Sequence, residues 1–357
     1  VPTGRQVKNN KNRSKLKYTM AKETKRILVT GGAGFIGTNF VYHMVKQGHV
    51  VTVFDKLTYA GGKDNLEPLL STYAVDSKVE LIVGDICDRE SVKKAVKGID
   101  WVVHFAAESH VTRSEKDPDI FYRTNVEGTK VMIEESIKTG VKKFLMISTD
   151  EVYGSIKKGA YKEEDKLPGD SQASSAYAKS KSLADDIAMD FAKQGCPIIV
   201  TRTTNNFGPW QFPEKALPRW ITNLCIGKKI PLWGEGLQIR DWLFAPENAQ
   251  AIEFILENGT LGEVYNVAAN NMPELTNRSV AEMVCTAMGK EPDEWIDHIP
   301  DPRVDHDFRY AIDTTKLEKL GWMPQRDPEK QITQTVEWYT HNQKWWKKRK
   351  EEAEKIY

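Results

Sequence analysis

The sequence predicts an α/β protein, a doubly wound parallel sheet with a smaller, irregular C-terminal domain. Three observations carry this. From Arg26 to about Thr204 short apolar runs alternate with helix-spaced segments, the texture of a parallel sheet covered on both faces. The first run leads straight into a glycine-rich turn, TGGAGFIG, and then a helical pattern. After Thr203 the alternation fails, and the chain becomes richer in Pro, Trp and Asn.

Residues 1–25 are polar and basic with no apolar periodicity, and are expected to be a disordered extension in which Met20 is a candidate original start. Strands are expected at 26–30, 50–55, 79–84, 101–105, 143–148 and 198–202, and helices between them at 35–47, 89–96, 119–139 and 176–194. Residues 26–204 thus read as one Rossmann-type unit, with part of the C-terminal region expected to pack back on it. Residues 205–343 read as a second domain that closes over a ligand, with helical patterns at 249–257 and 279–288. The stretch 328–357 is amphipathic, carries Trp338, Trp345 and Trp346, and is expected to form one helix whose end, 344–357, is a solvated charge run.

Composition excludes several classes. Apolar residues are 40% and charged residues 28% of 357, an ordinary globular balance. No apolar run approaches the roughly 20 residues of a spanning helix, and nothing near the start reads as a signal peptide. Cys87, Cys196, Cys225 and Cys285 lie far apart without a CxxC pair, which argues against a zinc site and suits a reducing cytoplasm; no metal is expected. The net charge of +1 is a cancellation: residues 1–26 hold nine Lys/Arg and one Glu, residues 344–357 hold six and three, and the body between has 36 bases and 46 acids. A nucleic-acid-binding surface on that acidic body is not expected, although the basic arm could touch nucleic acid or anionic lipid.

The turn Gly31-Gly32-Ala33-Gly34-Phe35-Ile36-Gly37 spaces glycines so that the backbone can approach a pyrophosphate at a helix N-terminus. A tight structural turn is the alternative. Asp55 ends the second strand 24 residues after Gly31, where a carboxylate accepts from a ribose 2′-hydroxyl and repels a 2′-phosphate. NAD is therefore favoured over NADP, with Lys56 beside Asp55 leaving the choice open. Asp85 and Ile86 follow the third strand, where an adenine would lie, and Phe105, Ala106 and Ala107 end the fourth along the cofactor path.

Tyr177 and Lys181 sit four apart on a predicted helix and share one face. An ammonium near a phenol favours the phenolate and would make Tyr177 a usable base. Thr149-Asp150-Glu151 leave the fifth strand at its C-terminal end, where open α/β sheets place their sites, and two acids can divide roles when their environments separate their pKa values.

Taken together, TGGAGFIG, DKLTYAG, GDICD, HFAAESHV, STDEVYG, YAKSK, NNFGPWQFPEK, QIRDWL and HDFRYAID make the sequence resemble the nucleotide-sugar 4,6-dehydratases of the extended short-chain dehydrogenase/reductase superfamily, most closely those acting on dTDP-glucose. The resemblance spans 26–313 and implies NAD as bound cofactor and a nucleotide-sugar substrate. It places Gly31, Gly34, Phe35, Ile36, Gly37, Asp55, Lys56, Thr58, Asp85, Ile86, Phe105, Ala106, Ala107, Thr124, Ser148, Tyr177 and Lys181 about the NAD. In the chemistry it implies, Tyr177 takes the C4-hydroxyl proton with Lys181 behind it, Thr149 bonds the C4 oxygen, Glu151 takes the C5 proton and Asp150 protonates the departing C6 hydroxyl. Ser109, Thr149, Asn206, Lys215, Arg240, Asn271, Arg303 and His306 match substrate contacts, and a homodimer through 119–139 and 176–194 is implied. Three departures leave the nucleotide and hexose open, dTDP or UDP: Thr112 where the family has Asp, Pro246 interrupting the stretch after QIRDWL, and Arg303-Val304-Asp305-His306 in place of Arg-Pro-Gly-His. A C4 epimerase or decarboxylase would share Tyr177 and Lys181 without needing Asp150 beside Glu151, and a non-catalytic sensor would be expected to have lost part of the set.

Overall fold

The computed structural model describes residues 23–73, 78–109, 111–167, 175–301 and 308–355, without the side chains of 111–113. Most of the 1–25 extension, the side chain of Thr112, and Arg303 through His306 lie outside the described residues.

Among the described residues eleven strands follow in chain order: β1 (Arg26–Thr30), β2 (Val50–Asp55), β3 (Val79–Val83), β4 (Trp101–His104), β5 (Lys143–Thr149), β6 (Ile198–Thr203), β7 (Asn205–Phe207), β8 (Ile230–Trp233), β9 (Trp242–Phe244), β10 (Val264–Val267) and β11 (Ile296–Ile299). Seven form one parallel sheet in the order β10-β6-β5-β4-β1-β2-β3. The order reverses between β1 and β4, and a crevice opens there beyond the C-terminal strand ends. Side chains alternate across the sheet as the two-residue period requires. Ile27, Val29, Val51, Val53, Val103 and Leu145 join one core with the helices Phe35–Lys46 and Ala245–Asn258. Leu28, Phe54, Val102, Phe144 and Met146 join the other, against Arg89–Ala95, Thr129–Lys138 and Ala176–Lys193. Because helices cover both faces, strand residues read as unbroken apolar runs. A third core gathers Phe207, Trp220, Ile221, Trp242, Val284, Tyr339 and Trp346 from the C-terminal half.

Four expectations are corrected. The sheet has a seventh strand, β10, paired with β6 from Val264↔Val200 to Val267↔Thr203, a four-residue run too short to stand out by periodicity. The helix expected over 119–139 is three segments: Pro118–Phe121, a π-helical turn Tyr122–Gly128, and Thr129–Lys138. Pro246 interrupts nothing, because it lies in the first turn of Ala245–Asn258, where its missing N–H has no intrahelical partner to lose. The C-terminal stretch breaks at Asn342 into Pro328–His341 and Gln343–Glu354. The second of these keeps the expected solvated charges on one face, with Lys344, Lys347, Lys348, Glu351 and Glu352 exposed, and docks the other: Trp346 is fully buried and Lys350, also buried, donates to Thr222 Oγ1 (3.1 Å) and Asn223 Oδ1 (2.6 Å).

Candidate active site

A cleft of about 360 Å³ runs along the C-terminal ends of the strands. It is lined by every residue expected about the cofactor, from Gly31 and Asp55 through Asp85 and Ala106 to Lys181, and by Thr149, Asp150, Glu151, Ser109, Asn206 and Lys215. Arg240 and Asn271 are not among the lining residues.

The glycine-rich turn is shaped by close approach. Gly31 has φ +67°, and a Cβ there would stand 2.7 Å from the Ala106 nitrogen, while a Cβ on Gly37 would stand 2.3 Å from the Gly31 carbonyl oxygen. No side chain can occupy either position without moving backbone. A Cβ on Gly34 would meet only the Gly31 carbonyl oxygen, at 3.2 Å, so the cleft side of the turn is open. Phe35 and Ile36 begin the helix after Gly34, and their N–H groups have no intrahelical acceptor. This is a cradle into which a pyrophosphate fits.

Asp55 is buried at the end of β2, and burial raises its carboxyl pKa while the N–H groups of Leu57 (2.8 Å) and Ala33 (2.9 Å) oppose that rise. Its neighbour Lys56, also on the cleft wall, donates to Asp85 Oδ2 at 2.8 Å. The cation that left a 2′-phosphate open is therefore already engaged, and the residues present fit NAD.

At the other end of the cleft, Thr149 Oγ1 donates to Asp150 Oδ1 (3.2 Å) and accepts from the Glu151 N–H (3.3 Å), which folds Asp150–Val152 into a single 3-10 turn. Asp150 is buried; that burial and the charge of Glu151 push its carboxyl up to about 8, against the Thr149 hydrogen bond and the Arg240 charge. Arg240 thus acts on the site electrostatically, with its guanidinium 4.7 Å over the Tyr310 ring and its Nη1 on the carbonyls of Ile239 and Phe308. Asn271 instead braces the half-buried Asp241, to which its N–H donates at 3.3 Å. Asn206 lines the cleft, but its amide is held by Thr203 and Thr204 and accepts from Asn248.

One expectation about Tyr177 changes. Lys181 Nζ donates to the Ile147 carbonyl (2.7 Å) and, with its burial, has a pKa lowered to about 8. Burial and the Glu151 charge raise the Tyr177 phenol well above its ordinary value, and only the Thr149 hydrogen bond works against them. The chain's own groups hold this tyrosine protonated.

Two supporting residues escaped the sequence reading. His104, fully buried behind the cleft, bridges Thr30 Oγ1 (2.7 Å) and Thr129 Oγ1 (3.0 Å), and Thr30 Oγ1 in turn accepts the Ala106 N–H (3.2 Å). A histidine inside the apolar run WVVHF was the available signal. Asn125, in the π-helical turn, exchanges hydrogen bonds with the Glu108 backbone (2.8 and 3.0 Å) and donates to Ser180 Oγ (2.9 Å) beside Lys181. Among the described residues, the group with metal-ligand chemistry, His49, Glu253 and Glu257, lies outside the cleft lining.

Residues 27–268 match the NAD dependent epimerase/dehydratase family. The chain is 42% identical over 329 residues to the dTDP-glucose 4,6-dehydratase of Streptomyces niveus, covering 90% of this chain and 94% of that one. Among solved structures it is similar to DesIV, a dTDP-glucose 4,6-dehydratase from Streptomyces venezuelae with NAD bound (TM-score 0.83, 37% identity, 91% and 99% of the two chains). It is also similar to the dTDP-glucose 4,6-dehydratase of Bacillus anthracis in complex with NAD (TM-score 0.80, 39% identity, 91% and 100%).

Proposed function

The chain belongs to the NAD dependent epimerase/dehydratase family, and from that premise we propose that it is an NAD-dependent hydro-lyase converting dTDP-glucose to the 4-keto-6-deoxy sugar nucleotide. The observation that carries this reading is the buried, proton-holding Asp150 next to Glu151 and within the same cleft as Tyr177. An epimerase needs no acid that keeps its proton at neutral pH. A water elimination does, because hydroxide is a poor leaving group.

When bound, NAD would supply hydride acceptance and return, and its oxidised form would add positive charge to the cleft that Tyr177 and Lys181 line. Once its own phenolic proton has passed to solvent, Tyr177 takes the C4-hydroxyl proton, and Thr149, hydrogen-bonded to it, bonds the C4 oxygen. With C4 a ketone, the C5 hydrogen becomes acidic, and Glu151 removes it. Asp150 delivers its proton to the C6 hydroxyl, which leaves as water. Lys215 at the cleft is assigned to the phosphates of the substrate, with Ser109 and Asn206 beside the sugar and Asn271 fixing the Asp241 loop; Arg240, outside the cleft lining, is assigned to the phosphates from its motif position. Arg303 is assigned to the same phosphates, and His306 to the substrate, from their motif positions alone. The acidic body makes such local cations necessary.

Incubation with dTDP-glucose in D₂O tests the reaction: the product should lose one water and carry one solvent deuteron at C5, with no net reduced cofactor. Retention of the water from both dTDP-glucose and UDP-glucose would sink it. The protonation of Asp150 sets the alkaline limb. Its acid form is present below about 8 and lost above, so kcat should fall as pH rises through that value. Asp150→Asn should slow elimination by about 10²–10⁴-fold and remove that limb; a wild-type profile unchanged well past this pH would contradict the role.

The four cysteines are free, which supports a cytoplasmic setting. No described helix is long and apolar enough to cross a membrane. Ile120 and Ile137, exposed on the segments Pro118–Phe121 and Thr129–Lys138, support a homodimer through this face together with Ala176–Lys193.

A further inference from the structure

We infer that Asn65 and Trp345 are positioning residues for the cofactor turn, so that the C-terminal helix Gln343–Glu354 sets how tightly NAD is retained. The inference rests on the NAD reading above.

Asn65, at 1% exposure, is buried between two groups of fixed polarity. Its Nδ2 donates to the Ala33 carbonyl at 2.7 Å, and its Oδ1 accepts from Trp345 Nε1 at 2.7 Å. A carbonyl can only accept and an indole N–H can only donate, so the amide has one orientation that satisfies both. Trp345 therefore holds Asn65 in the orientation that grips Ala33. Ala33 is the residue between the two halves of the glycine turn. Its N–H goes to Asp55 Oδ2 (2.9 Å), and its carbonyl also accepts from the Gly62 N–H (3.2 Å). Both polar groups of Ala33 being fixed, the planar peptide into Gly34 is fixed as well, one residue before the N–H groups of Phe35 and Ile36 that face the pyrophosphate.

The helix is anchored where the relay needs it. Arg349 donates to Asp64 Oδ1 (2.7 Å), next to Asn65, and lies 4.5 Å over the Trp345 ring. Trp345 also packs on Trp210 (5.7 Å) and Trp338 (5.1 Å), and Trp210 begins the loop that runs through Gln211 and Phe212 to Lys215 on the cleft wall. The tail helix lies beyond the residues matched by the family model, which end at 268. A reaction that must take back its own hydride loses its product whenever reduced cofactor escapes, so a device that stiffens the cofactor turn acts directly on the yield per cycle.

The test uses the full chain stripped of cofactor and titrated with NAD by calorimetry. Trp345→Phe keeps the ring and deletes only the N–H; Asn65→Asp keeps the shape and turns the donor toward Ala33 into an acceptor. Losing one such hydrogen bond corresponds to about 3–10-fold in affinity. We expect Trp345→Phe to weaken NAD binding about threefold or more and Asn65→Asp about tenfold or more, with saturating NAD restoring kcat. Trp338→Phe, in the same aromatic cluster, should leave NAD affinity unchanged even where it lowers Tm. Unaltered NAD affinity in both Trp345→Phe and Asn65→Asp would overturn the relay. A wild-type chain that binds no NAD would overturn the cofactor reading instead, and the relay with it.

Discussion

Tyr177→Phe should lower the formation of reduced cofactor from bound dTDP-glucose by about 10²–10⁴-fold, whereas Glu151→Gln should allow reduced cofactor to form and then accumulate. The contrast follows from where each group stands in the sequence of steps. Without the phenol oxygen, the C4 proton loses the acceptor that is hydrogen-bonded to Thr149, and oxidation fails at the start. Glu151 acts only after the ketone exists. Its replacement removes a negative charge that now raises the Tyr177 phenol, so the first step loses nothing and the cycle stops with the hydride still on the cofactor. Rapid-mixing absorbance of the reduced nicotinamide reads both variants in a single turnover. Equal yields of reduced cofactor from the two would contradict the division of labour.

The part of this site that was legible is the part carried by short-range spacing. Gly31, Gly34 and Gly37 belong to one turn, Thr149 to Glu151 to one strand end, and Tyr177 and Lys181 to one helical turn, so each group could be placed before any long-range contact was known. What stayed hidden depends on partners distant in the chain. The π-helical turn at Tyr122–Gly128 leaves apolar spacing nearly intact, and the close approach at its end, where a Cβ on Gly128 would stand 2.7 Å from Ile86 Cδ1, is to a residue distant in the chain. β10 is four residues whose strand character comes from β6, more than sixty positions earlier. Lys181 reads as a partner of Tyr177 by spacing, yet one of its N–H donors is held by the Ile147 carbonyl. The tail looked solvated because its charges outnumber its tryptophans; Trp346 is buried all the same.

Arg202→Met should destabilise the fold by about 3–5 kcal/mol, a large share of a typical domain's stability. Arg202 on β6 and Asp185 on the catalytic helix are 6% and 1% exposed and form a two-pronged pair, Nε to Oδ2 at 3.0 Å and Nη2 to Oδ1 at 2.9 Å. The remaining nitrogen donates to Tyr153 Oη (2.8 Å), which donates to Asn266 Oδ1 on β10 (2.9 Å). Removing the guanidinium leaves the Asp185 carboxylate in the interior without its cation, and the cost is that of an unpaired buried charge rather than of one lost contact. The double variant Arg202→Met/Asp185→Leu removes both charges and should recover most of the loss, the non-additivity expected of directly coupled groups. Urea midpoints of the wild type, the two single variants and the double variant complete the cycle. A single-variant cost under about 1 kcal/mol would show that water reaches the pair and that it behaves as a surface bridge. Because the pair ties the helix bearing Tyr177 and Lys181 to β6, and through Tyr153 to the turn bearing Asp150 and Glu151, the double variant should be stable and still impaired in turnover. Its charges are dispensable for folding in a way that the alignment they impose on the two halves of the site is not.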